Sequence, residues 1–235
     1  MLHDMKPEII PAILTKKRSE FEKRLALAAG LSRTVQIDIM DGYFVGNRTP
    51  RNLNNSRWFG EWLMKLPNGI RVPDIELHLM VMDPWPLICA WQEYAEVKRA
   101  IWHIEVPLDH AELIDVVHGL GLQAGLAINP GTPLDELTPF LKNKPTVPHS
   151  AFADEALVMG VRPGFSGQLF RRESLKTVRA LRRAYPRLDI GIDGGVGLDN
   201  AAAIIKAGAD RLNAAGAIFL ALDPKQAYRK LTTPA

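Results

Sequence analysis

Two aspartates, Asp38 and Asp193, each lie at the C-terminal end of an apolar run. The first run is Val35-Gln36-Ile37-Asp38-Ile39-Met40-Asp41-Gly42 and the second is Asp189-Ile190-Gly191-Ile192-Asp193-Gly194-Gly195. A carboxylate can take a proton from carbon and, once protonated, give one back. Two carboxylates on opposite sides of one pocket can remove a proton from one face of a substrate and return it to the other. That is the chemistry of an epimerase or isomerase. It requires both groups to reach one carbon, so their carboxylates must come within about 10 Å of each other.

Other polar groups stand at the ends of apolar runs or inside them. Gln36 and Asp41 flank Asp38, His78 sits between Leu77 and Leu79, and His103, Glu105 and Asn129 follow later. A histidine in an apolar strand is usually a satisfied core residue, and His103 is read that way. His78 is read as functional, because Asp38 and Asp193 are expected beside it.

These groups need a scaffold that brings distant strand ends together. Short apolar runs alternate with amphipathic stretches along the whole chain. Strands are expected over 9–14, 34–39, 75–81, 100–106, 123–128, 156–161, 188–192 and 211–214. Helices are expected over 17–29, 58–66, 84–94, 110–120, 133–141, 168–185 and 198–207, with a turn of helix near Ala217 and a closing helix from Pro224. Phe21, Leu25, Leu27 and Ala28 recur near helical spacing, and Gly30, Gly121 and Gly208 serve as stops. Strand–helix alternation gives a parallel sheet with helices outside. An open sheet would carry a glycine-rich dinucleotide turn after its first strand, whereas Thr15-Lys16-Lys17-Arg18 follows here. Eight repeats therefore predict one (β/α)8 TIM barrel over residues 1–235, a single domain with functional groups at the C-terminal strand ends.

Glycine-rich segments follow the last strands. Arg162-Pro163-Gly164-Phe165-Ser166-Gly167-Gln168 comes after the sixth, Asp193-Gly194-Gly195-Val196-Gly197 after the seventh, and Ala215-Gly216-Ala217 after the eighth. Glycine lets backbone N–H groups approach an anion closely, and barrel phosphate sites are often built at these positions. Backbone N–H groups of Ser166, Gly167, Gly195, Ala215 and Gly216 are the expected donors.

The apolar fraction, 47%, suffices for a large core, and a net charge of +3 is too small to imply a polyanionic partner. Lys16-Lys17-Arg18 and Arg182-Arg183 read as solvated helix faces, with no basic stripe carrying interleaved aromatics. Nucleic-acid binding is not expected. No apolar run reaches the roughly 18 residues of a membrane span, and the first eight residues are too polar for a secretory signal. Cys89, the single cysteine, reads as a small apolar helix residue in a reducing compartment. The chain is expected to be cytoplasmic.

At this level of detail the chain resembles the ribulose-phosphate 3-epimerase family, from about Pro11 to Phe219. Asp38-Ile39-Met40-Asp41-Gly42-Tyr43-Phe44-Val45 is similar to that family's Asp-Val-Met-Asp-Gly-His-Phe-Val signature. His78-Leu79-Met80-Val81 with Asp83-Pro84, Asn129-Pro130-Gly131-Thr132-Pro133, Pro163-Gly164-Phe165-Ser166-Gly167-Gln168 and Ile192-Asp193-Gly194-Gly195 match four further motifs in order. The resemblance implies an enzyme that inverts C3 of a ketopentose phosphate through an enediolate, with Asp38 and Asp193 as catalytic acid and base. It implies a divalent metal (Zn, Mn or Fe) on Asp38, His78 and Asp193. Met40, Met80 and Met159 join Gly164, Ser166 and Gly167 as candidate substrate- and phosphate-binding residues, with Gly194, Gly195, Ala215 and Gly216 completing the set. A phosphorylated sugar is the expected partner, in a homo-oligomer (dimer or hexamer), with no nucleic acid and no membrane.

The chain departs from the family pattern at several points. The family's first metal-binding histidine is Gln36, so Gln36 is a doubtful ligand and metal binding is expected to be weak or absent. A substrate-contacting Ser is Ala12, the phosphate-site Gly-Ser is Ala215-Gly216, and the His of Asp-Gly-His is Tyr43. Two further readings stay open: a metal-free or altered-specificity phosphosugar isomerase or lyase, and a non-catalytic phosphosugar-binding paralogue. Related decarboxylases use Asp-x-Lys-x-x-Asp, and the corresponding stretch here lacks the Lys, which argues against decarboxylation.

Overall fold

The computed structural model describes residues 7–49, 55–66, 71–142, 151–165 and 167–233. Eight parallel strands pair in chain order and close on themselves. They are β1 (Glu8–Ile13), β2 (Thr34–Met40), β3 (Asp74–Met80), β4 (Val97–His103), β5 (Gln123–Ile128), β6 (Glu155–Met159), β7 (Asp189–Asp193) and β8 (Arg211–Ala214). Closure is made by β1 and β8, with Ile9 opposite Leu212 and Ile10 opposite Asn213. The fold is the expected (β/α)8 TIM barrel.

The outer layer holds α1 (Arg18–Ala29), α2 (Asn55–Leu63), α3 (Trp85–Trp91), α4 (His110–Gly119), α5 (Ser174–Ala184), α6 (Ala201–Ala207), α7 (Gly216–Phe219) and α8 (Pro224–Thr232). Phe21, Leu25 and Ala28 of α1 are buried, as their spacing requires. Cys89 is a free, half-buried residue of α3.

Five expected helices differ; the one expected over 58–66 runs instead from Asn55 to Leu63, and the one expected over 84–94 stops at Trp91. The helix expected over 133–141 is replaced by two 3-10 turns, Leu134–Glu136 and Thr138–Phe140. Pro139 lacks an N–H, and its ring would meet the carbonyl one helical turn back, so an α-helix cannot run through it. The helix expected from Gln168 starts only at Ser174, because Gln168 turns back and donates to the carbonyls of Arg162 (2.7 Å) and Phe165 (2.9 Å). The helix expected from Leu198 starts at Ala201. The fourth strand also ends earlier than expected, at His103, which leaves Glu105 in the loop beyond it. Arg182 is a further correction. It leaves the solvated face to donate to the carbonyls of Gly208 (3.0 Å) and Leu188 (2.9 Å), and it pairs with Asp210.

Alternate residues of a strand face opposite sides of a sheet. Here one set, including Val35, Ile37, Ile39, Leu77, Trp102, Val158 and Ile192, joins the large core between strands and helices. Ile101, Ala127, Leu157 and Met159 form a separate, smaller cluster. Gln36, Asp38, Glu76, His78, Arg99, His103, Glu155, Asp193, Arg211 and Asn213 share the parity of that second set or its neighbours, and all are buried.

The barrel interior is thus largely polar. Arg99 Nη1 lies 2.5 Å from Glu155 Oε2, which also accepts from Arg211 Nη1 at 2.8 Å. Arg211 Nη2 donates to Glu76 Oε2 at 2.6 Å. Buried ion pairs add little net stability, but removing one partner strands the other as an uncompensated charge.

Candidate active site

Strand register places the chemistry. Asp38 of β2 lies opposite His78 of β3, while Asp193 of β7 lies opposite Met159 of β6 and Asn213 of β8. All three of Asp38, His78 and Asp193 point to the C-terminal mouth, where they line a cavity of about 290 Å³. His78 Nδ1 is 3.2 Å from Asp38 Oδ1 and 3.0 Å from Asp193 Oδ2. One ligand atom from each residue falls within 4.8 Å of the others, so the carboxylates are well inside the separation that two-base chemistry tolerates.

Gln36 sits beneath them, fully buried. Its Nε2 donates to Asp38 Oδ1 and to Asp193 Oδ2, both at 2.8 Å. Its Oε1 accepts from Asn213 Nδ2. The amide therefore presents a donor to the site, and in this orientation it is not a metal ligand.

Burial and the nearby charge of Asp193 push the Asp38 carboxyl up to about 6, against the opposing pull of His78 and Gln36. Burial by itself disfavours a charged His78. The hydrogen bonds and charges of Asp193 and Asp38 outweigh it and lift the imidazole to about 10. Burial lowers His103 to about 4, helped by the charge on His78 and opposed by Glu105.

The hydrogen bonds lead to the same protonation pattern. Glu105 Oε1 accepts from the Asn129 N–H and from Thr132 Oγ1, both at 2.7 Å. Glu105 Oε2 lies 3.2 Å from His103 Nδ1, which must then carry a proton. His103 Nε2 is left as an acceptor, 3.0 Å from His78 Nε2, so His78 donates there. His78 Nδ1 faces two carboxylate oxygens and needs either a second proton or a cation. His103 is the satisfied interior residue that the sequence suggested, and it also fixes the tautomer of His78. We expect nitrogen-15 NMR at pH 8 to show His78 protonated on both ring nitrogens and His103 neutral with its proton on Nδ1. Added Zn²⁺ should remove the Nδ1 proton of His78. A neutral His78 in metal-free protein would contradict this arrangement.

The donor set tests the implied metal. Two carboxylates and one imidazole, with a partnered second ring nitrogen, fit a divalent cation that keeps open positions. Asp38, His78 and Asp193 supply these groups, and Gln36 does not join them as it stands.

The glycine-rich segments border the same cavity. Gly164, Gly167, Gly194, Gly195, Ala215 and Gly216 line it, as do Met80 and Met159. Their loops are pinned by side chains: Asn47 Nδ2 donates to the Gly164 carbonyl and Asn200 Nδ2 to the Gly195 carbonyl, both at 2.8 Å. Ser166 lies outside the described residues. Met40 does not line the cavity, since it packs behind it with Val45 and Met80. Tyr43 is exposed beside the Arg48 guanidinium.

Glu76, Arg99, Glu155, Arg211 and Asn213 were not apparent as site or interior residues from the sequence. The signal was present as alternation within apolar runs, in Glu76-Leu77-His78 and Arg211-Leu212-Asn213. Only closure of the barrel shows that these side chains point inward to one network.

Comparison with known proteins agrees with this geometry. The chain's fold is similar to 3-hexulose-6-phosphate synthase from Salmonella typhimurium (TM-score 0.66, 13% identity, covering 96% of each chain). It is likewise similar to a mutant tryptophan synthase alpha-subunit from Pyrococcus furiosus (TM-score 0.66, 14% identity, 98% of this chain and 97% of that one). Sequence relatives lie nearer. The ribulose-phosphate 3-epimerase of Candida glabrata is 31% identical, over 94% of this chain and 89% of its own length. The cytoplasmic isoform of Oryza sativa subsp. japonica is 31% identical over 96% and 91%, and the enzyme of Aquifex aeolicus 32% identical over 89% and 88%. Residues 5–219 match the model of the ribulose-phosphate 3 epimerase family. With that match spanning nearly the whole chain, and the paired aspartates at the mouth of the barrel, the chain belongs to the ribulose-phosphate 3-epimerase family.

Proposed function

We propose that this protein inverts C3 of a ketopentose phosphate, interconverting D-ribulose 5-phosphate and D-xylulose 5-phosphate or a close sugar phosphate. The observation that carries this reading is the meeting of Asp38 and Asp193 in one cavity beside the glycine-rich loops. The loops anchor the phosphate through backbone N–H groups, and the sugar extends toward the two carboxylates. One aspartate removes the C3 proton, giving an enediolate, and the other returns a proton from the far side.

A carboxyl raised to about 6, as Asp38 is, holds and releases a proton readily near neutral pH. Hydrogen bonds from His78 and Gln36 to both aspartates hold the two carboxylates in place. A divalent cation would be held by Asp38, His78 and Asp193, and when bound it supplies positive charge where negative charge develops on the substrate. Gln36, whose two amide N–H groups are both taken by Asp38 and Asp193, orients these carboxylates instead.

Among the described residues no helix is long and apolar enough to cross a membrane. A cytoplasmic protein without nucleic-acid or membrane partners accords with the charge and composition, and a homo-oligomer is what the family resemblance implies. The test is incubation with D-ribulose 5-phosphate in heavy water, coupled to detection of D-xylulose 5-phosphate. Product carrying deuterium at C3 is the expected result. Phosphosugar binding with neither product nor deuterium uptake would make the protein a binder instead.

A further inference from the structure

The polar network below the mouth has a direction. Arg211 Nη2 donates to Glu76 Oε2 at 2.6 Å, and Asn213 Nδ2 donates to Glu76 Oε1 at 2.9 Å. The same Asn213 nitrogen donates to Gln36 Oε1, and Gln36 Nε2 donates to both aspartates at 2.8 Å. Carboxylates accept only, so acceptors stand at both ends of this chain and each amide has one workable orientation. Asn213 Oδ1 marks the constraint, because it is buried with no hydrogen-bond partner while its nitrogen serves two acceptors.

We propose that Asn213 is a positioning residue: anchored on Glu76 and Arg211, it holds the Gln36 carboxamide with its NH₂ group toward Asp38 and Asp193, so that Gln36 bridges the two carboxylates as a donor and is withheld from a divalent cation. To offer its oxygen to a cation, Gln36 must turn over. Its NH₂ would then abut the Asn213 NH₂. Turning Asn213 as well would set its oxygen against Glu76 Oε1, which Arg211 holds in place. Either turn leaves a buried mismatch. The polarity of two amides, set deep in the barrel, thus governs how the mouth takes a cation. This deepens the proposed function at the same two aspartates, but its test uses no sugar, so the two stand or fall separately.

The experiment is calorimetric titration of the full chain with Zn²⁺ and Mn²⁺ alone, for the wild type, Asn213→Leu, Asn213→Ser and Gln36→Glu. Asn213→Leu releases Gln36 to turn and should tighten Zn²⁺ binding about tenfold or more, the scale of an outer-shell change. Asn213→Ser keeps a donor near Glu76 but is too short to hold Gln36, so it should act in the same direction if the leucine variant folds poorly. Gln36→Glu replaces the donor by an anionic oxygen and should tighten binding further. In nitrogen-15 glutamine-labelled wild type, the Gln36 side-chain NH₂ should exchange slowly with solvent, and faster in both Asn213 variants. Zn²⁺ affinity unchanged in folded Asn213 variants, whatever their thermal stability, would overturn the proposal. So would a Gln36 NH₂ that exchanges in the wild type as fast as exposed glutamines.

Discussion

Asp38→Asn and Asp193→Asn are each expected to lower interconversion of the two epimers by about a thousandfold or more, the range of a lost general acid or base. An amide matches the carboxylate in shape but cannot accept the substrate proton. The folds should survive, because each asparagine can keep an oxygen toward Gln36 Nε2 and His78 Nδ1, which both now approach an aspartate. The two variants should differ in one diagnostic respect. In the proposed mechanism each aspartate serves one face of C3, so deuterium uptake should vanish from the epimer whose base was removed. Uptake from the opposite epimer can persist, since its base remains. Mass spectrometry of each recovered sugar phosphate in heavy water reads this directly. Near-normal uptake from both epimers in both variants would remove Asp38 and Asp193 from the chemistry.

The second large effect is expected at the glycine-rich loop after β7, the proposed phosphate site. Gly195 has φ +69°, a left-handed conformation that side chains disfavour, and a Cβ there would come within 2.8 Å of the backbone N and Cα of Phe170. Backbone atoms cannot swing aside as a side-chain end can. Gly195→Ala must therefore move the loop that follows β7, at a cost of about 1–3 kcal/mol for the overlap. Phosphosugar affinity should fall tenfold or more, because the donors of an anion site work only at hydrogen-bonding distance. Gly167→Ala is the informative control. Gly167 also has positive φ, +83°, yet a Cβ there meets nothing within 4 Å. Its loss should be smaller in both melting temperature and affinity. Wild-type phosphosugar affinity in Gly195→Ala would show that the phosphate is held elsewhere.

Local order, and the polar groups at the strand ends, were legible along the chain. Strands such as Val35 to Ile39 and Ile75 to Leu79 were legible because β-branched and apolar residues cluster there between turn residues. Alternation with helices then implied parallel strands, and parallel strands with eight repeats implied closure. Asp38, His78 and Asp193 were legible as a candidate site because a carboxylate ends each of two apolar strands and a histidine interrupts a third. The helix expected over 133–141 failed for a local reason, since Pro139 outweighs the apolar spacing around it.

Closure of the barrel, by contrast, settled which side chains share the interior and which way their amides face. Glu76, Arg99, Glu155, Arg211 and Asn213 belong to four different strands, β3, β4, β6 and β8, and are joined by four contacts that no local pattern encodes. Gln36 looked like a lost ligand in the sequence. In the folded chain it is a donor shared by two aspartates, because Asn213 and Glu76 occupy its other side. Propensity and periodicity act over a few residues, whereas hydrogen-bond polarity is settled by acceptors that arrive from distant strands when the barrel closes.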